Sequence, residues 1–140
     1  MITAVDTSIL IDVLTGHPDF GEPSADILRK SRARGSLVVC DVVWAETAGW
    51  FRELDVMRRT LDELTIDYRP VGERAATAAG EAWRRYREAG GPRDRLIADF
   101  LIGAHAEVET DQLLTRDRGF FRRYFRDLTI VDPTVDPTQV

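Results

Sequence analysis

Short apolar stretches alternate with longer segments of helical spacing along this chain, and that alternation restricts the fold more than any other feature. Ile2-Thr3-Ala4-Val5 reads as a brief buried strand, after which Ile9, Leu10, Val13 and Leu14 fall at helical intervals across Thr7 to Leu14. Gly16-His17-Pro18 breaks that helix, and a second is expected from Pro23 to Arg34 with Gly35 as its stop. Leu37 to Cys40 is the second strand. Helices are expected over about Asp41 to Leu54 and Val56 to Leu64, a third strand over Asp67 to Val71, and a helix over Glu73 to Ala89. Gly90-Gly91-Pro92 is the sharpest punctuation in the chain. Beyond it lie a helix over Arg93 to Glu107, a strand over Leu113 to Thr115, a helix over Phe120 to Phe125 and a closing strand over Leu128 to Val131. Such alternation calls for an α/β fold in which a parallel sheet is covered on both faces.

The chain has 140 residues, a length for one domain with a sizeable core. That domain is expected over residues 1–132, with residues 133–140, which include Pro137, as an irregular tail. Apolar residues make up 44% and charged residues 31%, the balance of an ordinary soluble protein. No apolar run reaches membrane-spanning length and the N-terminus lacks a signal-peptide layout, so a cytoplasmic protein without membrane contact is expected. Cys40 is the single cysteine, which rules out an intrachain disulfide and fits a reducing compartment. Its place at the end of an apolar strand reads as a buried, inert thiol. Without a Cys/His cluster a structural zinc site is not expected.

The net charge of −5 argues against a wholly basic nucleic-acid coat protein. It is compatible with an enzyme whose acidic site lies beside a local basic surface. Lys30 is the only lysine among many arginines. Genomic base composition accounts for most of that bias, although guanidinium forks also suit phosphate groups.

Functional groups of an open parallel sheet gather outside the carboxyl ends of its strands. Asp6 closes the first strand and Asp117 follows a late one, so the two acids can become neighbours. Glu46 and Asp99 lie in helical segments between them. Clustered carboxylates repel one another unless a proton or a cation offsets the charge. Oxygen-only ligands favour a hard cation, Mg²⁺ or Mn²⁺. Each acid also has a purely structural reading. Asp6 before Thr7-Ser8 is a good N-cap, Asp117 precedes another helix, and Glu46 can simply face solvent. Asp99 is harder to dismiss, because Leu96 to Ala104 is apolar almost all round and such a helix is normally buried. Asp94 is a rival for that third position, although on a continuous helix it would point about 140° away from Asp99.

Ser8 and Thr115 accompany the acids as candidates to orient a ligand or water behind the cation, or else as helix caps. Arg116, Arg118, Arg122, Arg123 and Arg126 form the densest basic stretch. Of these, Arg116 and Arg118 flank Asp117 and are candidate contacts for RNA phosphates, with a solvated helix face as the plain alternative. His17 and His105 have no convincing partner and are left outside the site. Trp44, Phe100, Phe120 and Phe121 read as core, while Trp50 and Phe51 also suit a dimer or partner interface.

Taken together, these motifs resemble the PIN-domain ribonucleases. The resemblance rests on Asp6-Thr7-Ser8, on Glu46 after the second strand, on Asp99-Phe100-Leu101-Ile102-Gly103-Ala104-His105-Ala106, and on Leu114-Thr115-Arg116-Asp117 followed by Phe120. It covers nearly the whole chain in order and spacing, and the length is most similar to that of VapC-type toxins of toxin–antitoxin pairs. It implies a three-layer α/β/α sandwich in which Asp6, Glu46, Asp99 and Asp117 are the acids that hold one or two Mg²⁺ or Mn²⁺ ions. The implied activity is RNA phosphodiester hydrolysis, the implied partner a cognate antitoxin protein, and the implied assembly a homodimer.

Rival readings fit less well. A phosphatase with an aspartyl nucleophile would carry a second acid two residues after Asp6, where Ser8 stands, and a lysine near the site. A receiver-like signalling domain would need a lysine at a late strand end. The non-enzyme alternative is a catalytically silent PIN-like module that only binds RNA or protein.

Overall fold

The computed structural model describes residues 1–92 and 94–135. In chain order the elements are β1 (Ile2–Val5), α1 (Thr7–Thr15), α2 (Gly21–Arg34), β2 (Ser36–Val39), α3 (Asp41–Ala48) and α4 (Leu54–Glu63). They continue as β3 (Ile66–Tyr68), α5 (Glu73–Glu88), α6 (Ile97–Glu109), β4 (Gln112–Leu114), α7 (Arg118–Tyr124) and β5 (Ile130–Val131). The five strands form one sheet in the order β3-β2-β1-β4-β5, and every pairing is parallel. The expected α/β class is therefore the observed one.

Strand order explains where a site can form. The connections β1 to β2 and β2 to β3 cross the sheet in one direction, and those from β3 to β4 and β4 to β5 cross in the other. Right-handed crossovers then place helices on both faces, giving three layers. The reversal falls between β1 and β4, whose helices leave on opposite sides, the place where open parallel sheets gather their functional groups. Register brings Val5 of β1 beside Leu114 of β4, and Asp6 N–H donates to the Leu114 carbonyl at 3.0 Å. The residues that follow each strand are thus delivered to the same edge of the sheet.

Burial of the apolar strands drives this assembly. Ala4, Val5, Leu37, Val38, Val39, Leu113 and Leu114 are all buried, as a sheet covered on both faces requires. Phe100 of α6 anchors an aromatic cluster with Tyr86, Phe120, Tyr124 and Phe125. Each such buried side chain contributes about 1.5–3 kcal/mol relative to exposure. Gly103 permits the approach of α6 to Phe125, since a Cβ there would overlap the Phe125 ring. Gly16 closes α1 in the left-handed region, with φ 62° and ψ 47°, and donates its N–H back to Val13 O.

Several boundaries differ from the sequence expectation, each for a local reason. The helix expected over Asp41 to Leu54 ends at Ala48, because Gly49, Trp50 and Phe51 close it with tight turns onto Ala45, Thr47 and Ala48 carbonyls. Trp50 is exposed and Phe51 packs partly against the core. Pro23 does not start α2 but sits within its first turn, where its missing N–H costs nothing. The helix expected from Arg93 begins only at Ile97, so Asp94 lies in the preceding loop. Of the expected tail, Val135 folds back onto Asp132 O, and residues 136–140 lie outside the described residues. Among the described residues no helix is long and apolar enough to cross a membrane.

Candidate active site

Asp6 is placed by the end of β1 and the start of α1. It is the N-cap of that helix, with Oδ1 accepting from Thr7 N–H at 2.8 Å. The capping explanation is therefore correct, but it accounts for only one oxygen. The other, Oδ2, accepts from Thr115 Oγ1 at 2.7 Å and from Ser8 Oγ at 3.3 Å. Burial raises the Asp6 carboxyl to about 6, against the opposing pull of the bonds from Thr115, Thr7 and Ser8, and the nearby Glu46 charge adds to the rise. Two neutral hydroxyls thus hold a carboxylate that burial disfavours.

Thr115 is fully buried and acts as a relay. Its hydroxyl donates to Asp6 and accepts from the backbone N–H of Asp117 at 3.0 Å. One side chain therefore fixes both the carboxylate after β1 and the backbone position of the acid after β4. Ser8 contacts Asp6 as well, so both hydroxyls expected beside the acids are found there. Glu46, on exposed α3 surface, joins through Thr7, whose Oγ1 donates to Glu46 Oε1 at 2.7 Å. Thr7 has no separate signal in the sequence, because any residue at the first helical position would fit the pattern.

Asp99 occupies the third position of α6 and Oδ2 accepts from Leu96 N–H at 3.4 Å, a long capping contact. Starting the helix at Ile97 brings back capping as a partial explanation for this acid. Burial raises its pKa, and the Arg95 charge opposes that rise while Asp117 and Asp94 reinforce it. Asp94 is exposed and engaged elsewhere, accepting from the Tyr86 hydroxyl at 3.3 Å. Asp117 accepts from Arg95 Nη1 through Oδ2 at 2.5 Å, and the Arg95 guanidinium lies 4.3 Å from the centre of the Phe120 ring. Asp6 and Glu46 are therefore linked through Thr7, and Asp6 is linked through Thr115 to the Asp117 backbone, while Asp99 feels the Asp117 charge without a bonded contact to it.

The flanking arginines divide. Arg116 donates through Nε and Nη2 to Asp12 at 2.6 and 2.9 Å and lies over the Phe20 ring. Asp12 is only 2% exposed and also accepts from Ser24 Oγ. Two of the three Arg116 nitrogens are committed to this buried acid, so the residue also serves as a structural tether. Arg118 instead lines a cavity of about 880 Å³ between α2, α7 and β5, beside Lys30, Arg34 and Arg122. His105 is buried in α6 with Nε2 lacking a partner among the described residues, and burial lowers its pKa. Arg95 and Asp12 escaped sequence reading because each acquires its partner only through tertiary structure.

Among the described residues no three acids or histidines converge closely enough to ligate one ion directly. The donor set is nevertheless entirely carboxylate and hydroxyl oxygen, the chemistry of Mg²⁺ and Mn²⁺. Mg²⁺ usually keeps several waters and takes only one or two carboxylates, so a site with few direct protein ligands suits such an ion. Arg95 supplies a second sign of fit, because it places a cation on Asp117 where the acids need one.

The fold is shared with known proteins. The fold is similar to VapBC2 from Rickettsia felis bound to a promoter DNA fragment, with TM-score 0.73, 20% identity and coverage of 94% of this chain and 98% of that one. It is similar to VapBC-1 from nontypeable Haemophilus influenzae, with TM-score 0.72, 21% identity and coverage of 96% and 100%. FitAcB from Neisseria gonorrhoeae matches with TM-score 0.68, 22% identity and coverage of 95% and 98%. No curated protein matches the chain. The PIN domain family matches residues 3–126, which include the sheet's switch point and all four acids, and the chain belongs to that family.

Proposed function

We propose that this protein is a metal-dependent endoribonuclease and the toxin of a toxin–antitoxin pair. The observation that carries the reading is the pair of acids after β1 and β4, with one buried threonine bonding the Asp6 carboxylate and the Asp117 backbone N–H at the switch point of the sheet. Membership of the PIN family supports nuclease chemistry, and the VapBC and FitAB complexes among the structural neighbours support an antitoxin partner.

Asp6 and Asp99 are the principal ligands in this reading, with Asp117 and Glu46 completing the shell directly or through water. Bound there, Mg²⁺ or Mn²⁺ would polarise a phosphate oxygen and ease deprotonation of an attacking water. The protein's own part is to hold the acids in place. Ser8 and Thr115 orient Asp6, and Thr115 sets the Asp117 backbone. Glu46, exposed and tethered through Thr7, is placed to orient a water or accept its proton. Raised pKa values at Asp6 and Asp99 mean that both acids gain from an added positive charge.

The test is incubation of the partner-free protein with mixed structured and unstructured RNA, with and without Mg²⁺ or Mn²⁺, beside Asp6→Ala. Metal-dependent products that vanish in the variant are expected. Cleavage by Asp6→Ala at the wild-type rate would remove Asp6 from the chemistry. A folded protein that neither cleaves RNA nor binds metal would instead be a silent binding module.

A further inference from the structure

Arg95 is the only cation bonded to any of the four acids among the described residues. It stands one residue before Leu96, the N-cap of α6, and reaches across to Asp117 after β4. Three features define this contact. Its guanidinium rests over the Phe120 ring, so the side chain has a supporting surface besides the carboxylate. Arg95 and Asp117 are 29% and 39% exposed, so water reaches the pair. Exposed ion pairs of this kind contribute little net stability, and their partners exchange readily.

We propose that Arg95 is a built-in counter-cation that holds Asp117 in the metal-free protein and must yield this carboxylate when a divalent ion binds. The inference rests on the metal-nuclease reading above and adds a competitor within the chain. A guanidinium and a divalent ion on one carboxylate repel each other, and the ion carries twice the charge. Arg95 therefore lowers metal affinity through Asp117 while it relieves repulsion between Asp99 and Asp117 when no ion is present. The Phe120 face gives the released guanidinium a place to remain.

The experiment is calorimetric titration of Mn²⁺ into wild-type protein, Arg95→Met, Asp117→Asn and the double variant, without RNA. Methionine keeps an apolar chain over Phe120 and removes the charge. Arg95→Met should bind Mn²⁺ about tenfold more tightly, within the usual range of coupling between sites. That gain should disappear in the Asp117→Asn background, as a double-mutant cycle requires if the effect passes through Asp117. Unchanged or weaker binding by Arg95→Met would overturn the proposal, as would a gain that persists with Asp117→Asn. A second measurement needs no variant: on Mg²⁺ addition the Arg95 Nε–H resonance of wild-type protein should shift and exchange faster with water. An unmoved resonance in metal-saturated protein would also overturn it. Failure of wild-type and Arg95→Met alike to bind metal would defeat the nuclease reading with it, whereas normal wild-type binding and an indifferent Arg95 would defeat the exchange alone.

Discussion

Asp6 and Asp117 follow neighbouring strands, yet the first is buried under neutral donors and the second is held near the surface by a cation. The Asp6 side is built into the fold: Thr7, Ser8 and Thr115 reach it from the helix cap and the adjacent strand end. Its donors cannot be exchanged without disturbing β1, α1 and β4. The Asp117 side is assembled from a loop arginine and the start of a short helix, and its key contact is open to water. The two acids thus differ in how firmly they are held: Asp6 by three donors from the fold's own elements, Asp117 by one water-accessible arginine.

Removing the relay should strain this contrast most. Thr115→Val deletes a buried hydroxyl that serves both halves and leaves the Asp117 N–H without its partner. We expect a loss of about 2–3 kcal/mol in denaturant unfolding. Metal affinity should fall by about 10–100-fold in titration. Thr115→Ser should restore most of both, and a valine variant with normal metal affinity would show that the halves are independent.

The next largest effect should fall on stability alone. Asp12→Ala leaves Arg116 without its buried partner and should cost about 2–3 kcal/mol. Because Arg116 is a tether rather than a ligand, metal binding by the folded variant should stay near the wild-type value. A loss of metal affinity comparable to that of Thr115→Val would extend the Asp6 side to include Asp12.

Asp6→Asn should move stability in the opposite direction. The Asp6 pKa rises from 3.8 to about 6 on folding, so between those values the folded chain holds a proton that the unfolded chain has released. Stability contributed by the neutral carboxyl is present at low pH and lost as pH rises through that window. In chelator at pH 7, Asp6→Asn should therefore gain up to about 2 kcal/mol, with the gain shrinking towards pH 4. Thermal melts across that range would measure it, and a loss at pH 7 would mean that the three donors outweigh burial.

The smallest effect should be at Asp94. Among the described residues its side chain is bonded only to the Tyr86 hydroxyl, so Asp94→Asn should change stability by within about 0.5 kcal/mol. Metal titration should be unaffected, whereas Asp99→Asn should weaken it. Reversal of that ranking would move the third ligand into the loop.

Much of the fold was legible because the relevant signals are local. Apolar tetrads such as Ile2–Val5, the stop at Gly35 and the break at Gly90-Gly91-Pro92 each act through neighbours in sequence. Boundaries that depended on packing were less legible. The α3 end at Ala48 and the late start of α6 at Ile97 are set by turns whose hydrogen bonds leave no periodic trace. Of the residues considered for the site, Ser8 and Thr115 were readable from their spacing to the acids. The Arg116 bond to Asp12 was not readable, since its position beside Asp117 says nothing about a partner 104 residues away.

By itself, then, the sequence determined the α/β class and the approximate places of the strands, and it put forward four acids with two hydroxyls as candidates, because strand period, capping and residue chemistry are carried by short stretches of chain. Only the tertiary structure decided that Thr7 ties Asp6 to Glu46, that Thr115 bridges Asp6 and the Asp117 backbone, that Asp12 takes Arg116 and that Arg95 takes Asp117. Those choices depend on which side chains the sheet order and helix packing bring within hydrogen-bond distance, and no local pattern encodes that distance.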